Sequence, residues 1–262
     1  MNKPFFSIIV VSLNAKDYIK STIESVLEQS FDDYEIVVKD GLSCDGTVDN
    51  IPTSDKIRVY EEKDTSIYDA MNQAISYSEG KYLCFLNCGD YFQNKDVLKN
   101  IYEKAKDNDD CIVYGNYSRK GVVFKQPSKI TSFYLYRTPL CHQTMFFAKS
   151  LFDAKPYDTS YRILADYEHT LNDFKAGKEF LYVPVTVCDY MGEGVSESPK
   201  MKALKKQEYK SVQEKYFTFA ERKKFDFKLL LSMKKLRQKM ISDDAPKCVR
   251  KFYRFLVNKV NK

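Results

Sequence analysis

Apolar and polar positions follow two alternating rhythms along the first half of the chain. Phe5–Ser12 is an unbroken, β-branched run, the pattern of a strand covered on both faces. Residues 17–29 then place Tyr18, Ile19, Ile23, Val26 and Leu27 on one helical face. Tyr34–Lys39 reads as a second strand, Asp45–Asn50 as the start of a short helix, and Ile57–Glu61 as a third strand. Ile67–Tyr77 has helical spacing and closes near Gly80, and Tyr82–Leu86 is a fourth strand. A helix over 94–106 and a strand at Cys111–Tyr114 follow. Such alternation predicts right-handed crossovers and an α/β fold with a mostly parallel, doubly wound sheet. Ligands of such sheets sit at the carboxyl ends of the strands. Ser12-Leu13-Asn14, Asp40-Gly41 and Asn87–Asp90 stand at three of those ends.

From about residue 115 the pattern is less regular. Phe146–Phe147 and Phe180–Tyr190 read as later strands, and Leu164–Phe174 as a helix carrying Asp166, Glu168 and His169. Beyond Pro199 the chain reads as helical and basic. Leu229, Met233, Leu236 and Met240 recur every three or four residues, as do Phe252, Phe255, Leu256 and Val260. Asp243–Pro246 breaks the two stripes, with Pro246 suited to the first turn of a last helix.

Composition narrows the classes. At 262 residues with 44% hydrophobic and 15% aromatic content the chain can bury a core, which excludes global disorder. It is 30% charged, and no apolar run approaches the ~18–20 residues of a membrane span. The opening Met-Asn-Lys-Pro-Phe-Phe-Ser lacks the order of a signal peptide, so a cytoplasmic location is expected. Seven cysteines, an odd number without a CxxC pair, point to reduced thiols rather than disulfides or a zinc ribbon. Cys84 and Cys111 lie in apolar runs and are expected in the core. The net charge of +6 divides unevenly: residues 199–262 hold 20 Lys/Arg against 6 Asp/Glu, and residues 1–198 hold 22 against 30. This predicts an acidic body with a basic extension.

The strand ends suggest chemistry. The turn after the first strand is Ser-Leu-Asn-Ala-Lys, without a glycine cradle or a P-loop lysine. A diphosphate can instead be held by a divalent cation on carboxylates. Asp90, directly after a buried strand, suits Mn2+ or Mg2+, which takes one or two protein oxygens and others from phosphate and water. Asp40 could accept hydrogen bonds from a base or ribose.

Six segments carry a resemblance: FSIIVVSLN ending at Asn14, SVLEQSFDDYEIVVKDGLSCDGT, DTSIYDAMNQAI, KYLCFLNCGDYF, HQTMFF at 142–147 and ADYEHTL at 165–171. Together they make roughly residues 5–192 similar to the family 2 glycosyltransferases, and within them to bacterial enzymes of capsular, exopolysaccharide and O-antigen synthesis. The resemblance implies a GT-A fold in residues 1–198. About 1–115 would be its nucleotide-sugar half and 116–198 its acceptor half. It implies inverting transfer from a nucleotide sugar, UDP-linked first of all, to the hydroxyl of a glycan or polyprenyl-linked acceptor. Asp40 would contact the base, with Ser12 and Asn14 in the same pocket and Asp69 also lining it. Asp90 ends the family's DxD motif and would hold the cation. Asp166 would be the base for the acceptor hydroxyl. Two positions depart from the family: Asn87 replaces the first DxD carboxylate and would meet ribose or a metal-bound water, and Ala165 replaces an acid before the base.

Other readings stand beside this one. His142 is either an acceptor or leaving-group contact or a structural histidine, and His169 is read as structural. The extension 199–262 could lie on an anionic membrane surface at the inner face of the cell membrane, or pack on the body. No nucleic-acid motif supports a nucleic-acid partner. A nucleotidyltransferase would want a Gly-rich basic loop after the first strand, which is missing. A catalytically inactive nucleotide-sugar binder or assembly protein is the alternative that Asn87 and Ala165 raise.

Overall fold

The structure, a computed structural model, describes residues 3–191, 201–232, 248 and 251–253. The first half runs β1 (Phe6–Ser12), α1 (Lys16–Leu27), β2 (Tyr34–Asp40), β3 (Ile57–Glu61), α2 (Ile67–Tyr77), β4 (Tyr82–Phe85), β5 (Tyr91–Phe92) and α3 (Val97–Ala105). Then come β6 (Cys111–Arg119), β7 (Val122–Phe124), α4 (Ser132–Arg137), β8 (Met145–Ala148), α5 (Lys149–Ala154), α6 (Ala165–Lys175) and β9 (Glu179–Asp189). Helices α7 (Lys202–Tyr216) and α8 (Phe219–Ser232) follow. The expected stripe through Met233, Leu236 and Met240, the break at Asp243–Pro246, and Phe255, Leu256 and Val260 lie outside the described residues.

One sheet has the order β3-β2-β1-β4-β8-β6-β9-β5, with β7 beside β6. β1, β2, β3 and β4 are mutually parallel, in the register Ser12 opposite Asp40 and Ile9 opposite Phe85. Their β-branched and aromatic side chains are buried, Ile8, Val10, Ile36, Val38, Leu83 and Phe85 having essentially no exposed surface. This is why the runs are continuous rather than alternating. Ile19, Ile23 and Val26 of α1 are buried, as are Met71, Ala74 and Ile75 of α2. Cys84 and Cys111 are core residues, as their surroundings predicted.

Three described strands run against the majority. β8 lies antiparallel between β4 and β6, β5 is antiparallel to β9, and β7 folds back on β6. The strand expected at Cys111–Tyr114 extends to Arg119 because the Lys120-Gly121 turn returns it as a hairpin. Both turn residues have positive φ, +51° and +75°, matching the twist of a two-residue hairpin. Tyr18, expected on the buried face of α1, is 46% exposed.

The chain divides into two compact units: Met1–Ile130 with Leu140–Glu208, and Thr131–Pro139 with Tyr209–Lys262. In the second, Tyr136 of α4 sits edge-on to Phe217, and its hydroxyl donates to Asp226 at 2.6 Å. The sheet belongs to the first unit, where β1, β2, β4, β6 and β9 all end on one edge.

Candidate active site

The ends of β1 and β2 are tied through Asp40. Its carboxylate, fully buried, accepts from Ser12 Oγ at 2.7 Å, from the Ser43 amide at 2.6 Å and from Ser43 Oγ at 2.7 Å. Three donors on about four lone-pair directions leave one for a further partner. Asn14, at φ +50°, accepts from the Cys44 amide at 3.1 Å through Oδ1, while its own amide donates to Ser43 Oγ at 2.8 Å. Ser12, Asn14 and Asp40 thus share one rim.

Asp69 sits at the third position of α2. Ser66 caps the helix by accepting from the Asp69 amide at 3.2 Å. Asp69 Oδ2 reaches back to the Thr65 amide and hydroxyl, both at 2.8 Å, a reciprocal cap. The Thr65 amide and hydroxyl hold this carboxyl below its usual range, and the Lys39 charge adds to the shift. Lys39 is wholly buried and pairs with Asp64 at 2.8 Å. Sequence reading missed Lys39 and Asp64. Their signal is a lysine inside a strand buried on both faces, which demands an acidic partner.

The turn after β4 begins at Asn87. The Asp90 amide donates to the Asn87 carbonyl at 2.9 Å, and Gly89, at φ +96°, donates to Thr22 Oγ1 of α1 at 2.9 Å. Only a residue without a Cβ takes that backbone geometry without strain. Asp90 is buried and accepts from Gln143 Nε2 and from the Met191 amide, each at 2.9 Å. Burial pushes its carboxyl up, partly offset by those two donors.

Asp166 and His142, 24 residues apart, meet at 3.0 Å through Oδ2 and Nδ1. Tyr68 Oη donates to Asp166 Oδ1 at 2.7 Å and lies equally close to the Ile163 carbonyl. Burial raises the Asp166 carboxyl, but the His142 hydrogen bond and charge and the Tyr68 hydroxyl outweigh it, so the group lies below its ordinary value. Burial and the Asp166 charge push Tyr68 well up, which keeps its proton on. An ionised Asp166 needs the Nδ1 proton of His142. His142 Nε2 lies 3.3 Å from Asn87 Nδ2. Asn87 Oδ1 is left buried without a partner. Ser12, Asn14 and Asp40 form one group, and Asn87, His142, Asp166 and Tyr68 a second. Asp90 joins the second through the adjacent residues His142 and Gln143, whereas Asp69 is engaged at its helix cap.

Tyr68 and Glu208 escaped the sequence reading. Glu208, buried on α7, accepts from the amides of Arg162, Ile163 and Leu164 at 2.7, 3.0 and 3.0 Å. These are orphan donors at the head of α6, one turn before Asp166. Glu208 lies in a stretch read as basic extension, where no local pattern marks a single buried acid. His169 differs in kind: it stacks on Phe152 at 4.3 Å, and its Nδ1 lies 3.1 Å from Asp173 inside the core. Ala165 is fully buried, so an acid there would lose its hydration.

The donor set fits a hard divalent cation in one respect. Asp90 offers a carboxylate and Asn87 an orphaned amide oxygen from the same turn. Among the described residues no group of three or more His, Cys, Asp or Glu forms a metal cage. The protein would then supply one or two ligands and a bound diphosphate the rest.

The site lies on an α/β sheet with acidic and polar side chains along its carboxyl edge. The description "Glycosyl transferase family 2" matches residues 7–165. The chain belongs to that family and is a glycosyltransferase. A PGL/p-HBAD biosynthesis glycosyltransferase of Mycobacterium tuberculosis is 29% identical over 199 residues, covering 72% of this chain and 78% of its own. TuaG of Bacillus subtilis, named for teichuronic acid biosynthesis, is 35% identical over 121 residues, 44% of this chain and 48% of that one. Staphylococcus aureus TarS 1–349, solved with UDP, superposes at a TM-score of 0.64 with 16% identity, over 90% of this chain and 75% of that one. The fold is therefore GT-A.

Replacing Glu208 with Ala is expected to lower stability by about 1–3 kcal/mol, since three amides, two of them buried, lose their acceptor. Urea denaturation of the two proteins measures this. An unchanged midpoint would show that the amides find other partners.

Proposed function

We propose that the enzyme transfers a sugar with inversion from a nucleoside-diphosphate donor, UDP-linked in the first instance, to a hydroxyl of a glycan or polyprenyl-linked acceptor in surface polysaccharide synthesis. The observation that carries this is the half-buried Asp166 carboxylate, held below its ordinary value by His142 and Tyr68 beside the Asn87–Asp90 turn. TuaG, the mycobacterial relative and the UDP-bound TarS fold support the donor and pathway class.

In this reading the remaining lone pair of Asp40 takes a donor from the base or ribose, with Ser12 and Asn14 beside it. Asp69 lines the same pocket, its charge fixed by Thr65. Asp90, with the free oxygen of Asn87, would hold Mn2+ or Mg2+, which offsets charge on the leaving diphosphate. The acceptor oxygen attacks the anomeric carbon as its proton passes to Asp166. The bond to the diphosphate oxygen breaks, and its electron pair leaves with the nucleotide. A carboxylate across the ring from the leaving group is also how inverting glycosidases arrange their base. Tyr68 and His142 aim Asp166 and keep it unprotonated. This arrangement favours an active enzyme over the inactive-binder reading that Asn87 and Ala165 raised.

Asp166→Asn should lower kcat by at least about 10²-fold, the scale of general-base assistance, with donor affinity by calorimetry unchanged; full activity would remove Asp166 from the reaction. Asp90→Ala should abolish the thermal shift that Mn2+ adds to UDP-sugar binding, and an undiminished shift would place the cation elsewhere. His142→Ala removes the strongest influence that lowers Asp166 while its burial remains. The Asp166 carboxyl then rises, so the acid limb of kcat/KM should move to higher pH. A limb that stays in place would separate His142 from the base.

A further inference from the structure

The β6–β7 hairpin exposes three consecutive apolar residues. Val122, Val123 and Phe124 are 57%, 51% and 42% exposed. Successive strand residues point to opposite faces, so both faces of β7 meet solvent. A Cβ built on Gly121 at the tip finds no atom within 4 Å. Among the described residues β7 pairs only with β6, through Ser118 opposite Val123 and Arg119 opposite Val122. Three consecutive exposed apolar residues at a tip are costly unless something receives them.

The surroundings indicate what. Between Cys111 and Phe152 the chain carries six Lys/Arg and no Asp/Glu. Four of these, Arg119, Lys120, Lys125 and Lys129, flank the tip. Tyr117 stacks on Phe124 at 5.1 Å, and the Arg119 guanidinium lies 5.5 Å from the Tyr190 ring. Apolar side chains at a tip, aromatic rings behind them and cations around them match the layers of an anionic bilayer from acyl chain to headgroup. A second copy of the chain fits poorly, because edge-to-edge pairing would set Arg119, Lys120 and Lys125 against the same cations.

We propose that the β6–β7 hairpin dips into an anionic membrane surface, Val122, Val123 and Phe124 entering the apolar boundary and Lys120 and Lys125 engaging lipid phosphates. β6 runs in the same direction as β1, β2 and β4. Its turn therefore leaves from the edge that carries Ser12, Asp40 and Asp90. The bilayer then faces that edge, and an acceptor anchored in lipid arrives there without leaving the membrane. This contact does not depend on the transfer chemistry, and it uses a different segment from the basic helices.

The chain contains no tryptophan, so Val123→Trp in the full chain is a sole reporter at an exposed position. With vesicles of equal parts phosphatidylglycerol and phosphatidylcholine its emission should shift to the blue as the protein sediments with them. Lys120→Gln/Lys125→Gln should weaken that partitioning about 30-fold, from ~1 kcal/mol for each cation near an anionic surface, with the melting temperature unchanged. Pure phosphatidylcholine vesicles should leave both readouts flat. Sedimentation with unshifted emission would assign binding to the basic helices and overturn the proposal. So would the absence of sedimentation, or equal partitioning of the double variant.

Discussion

A carboxylate cannot be taken out of water with its charge intact unless donors replace the water. Asp166, half-buried, is partly in that condition, and several groups of the site offset the lost hydration. His142 and Tyr68 meet its two oxygens directly. Behind His142 stands Asn87, and beside Tyr68 lies the Ile163 carbonyl, in the segment whose amides Glu208 holds. Asn87 lies against the His142 ring, and the Tyr68 hydroxyl lies within reach of both Asp166 and the Ile163 carbonyl. The strand framework supplies the places from which these groups meet the half-buried Asp166 carboxylate.

A second carboxylate works differently. Asp40 has no exposed surface, but its three donors come from Ser12 at the end of β1 and from Ser43 in the loop that follows β2. It therefore acts as a knot that shapes the rim. Lys39, its neighbour in β2, points its charge at Asp64 from within the sheet. A parallel sheet tolerates such polar residues at its carboxyl edge because the loops there can bend to satisfy them.

The parallel part of the fold was legible because β1, β2 and β4 are buried on both faces and write themselves as apolar runs. β5 and β7, two and three residues long, left no readable pattern, and β8 was read as a strand at Phe146–Phe147 without its reversed direction. The rim residues Ser12, Asn14 and Asp40 could be named because each ends a recognisable strand. Tyr68 could not, since a tyrosine in the first turn of an amphipathic helix looks like packing. The meeting of His142 with Asp166 depends on a tertiary contact that no spacing announces. Tyr18 was misplaced for a simpler reason: its ring has both an apolar body and a polar tip, and either can decide its side.

The reversal of β8 has a consequence for how such an enzyme can change. In a parallel sheet a loop reaches the reactive edge only after its strand ends, so each strand contributes one loop. A strand inserted upside down offers its entrance there instead. The stretch leading into Met145 delivers His142 and Gln143 next to Asn87 and Asp90, although it precedes its strand in sequence. In the proposed reaction, lengthening or recasting that approach would alter what the attacking alcohol encounters and leave untouched the segments that Asp40 joins. The two halves of the reaction can thus drift apart in specificity along separate stretches of chain.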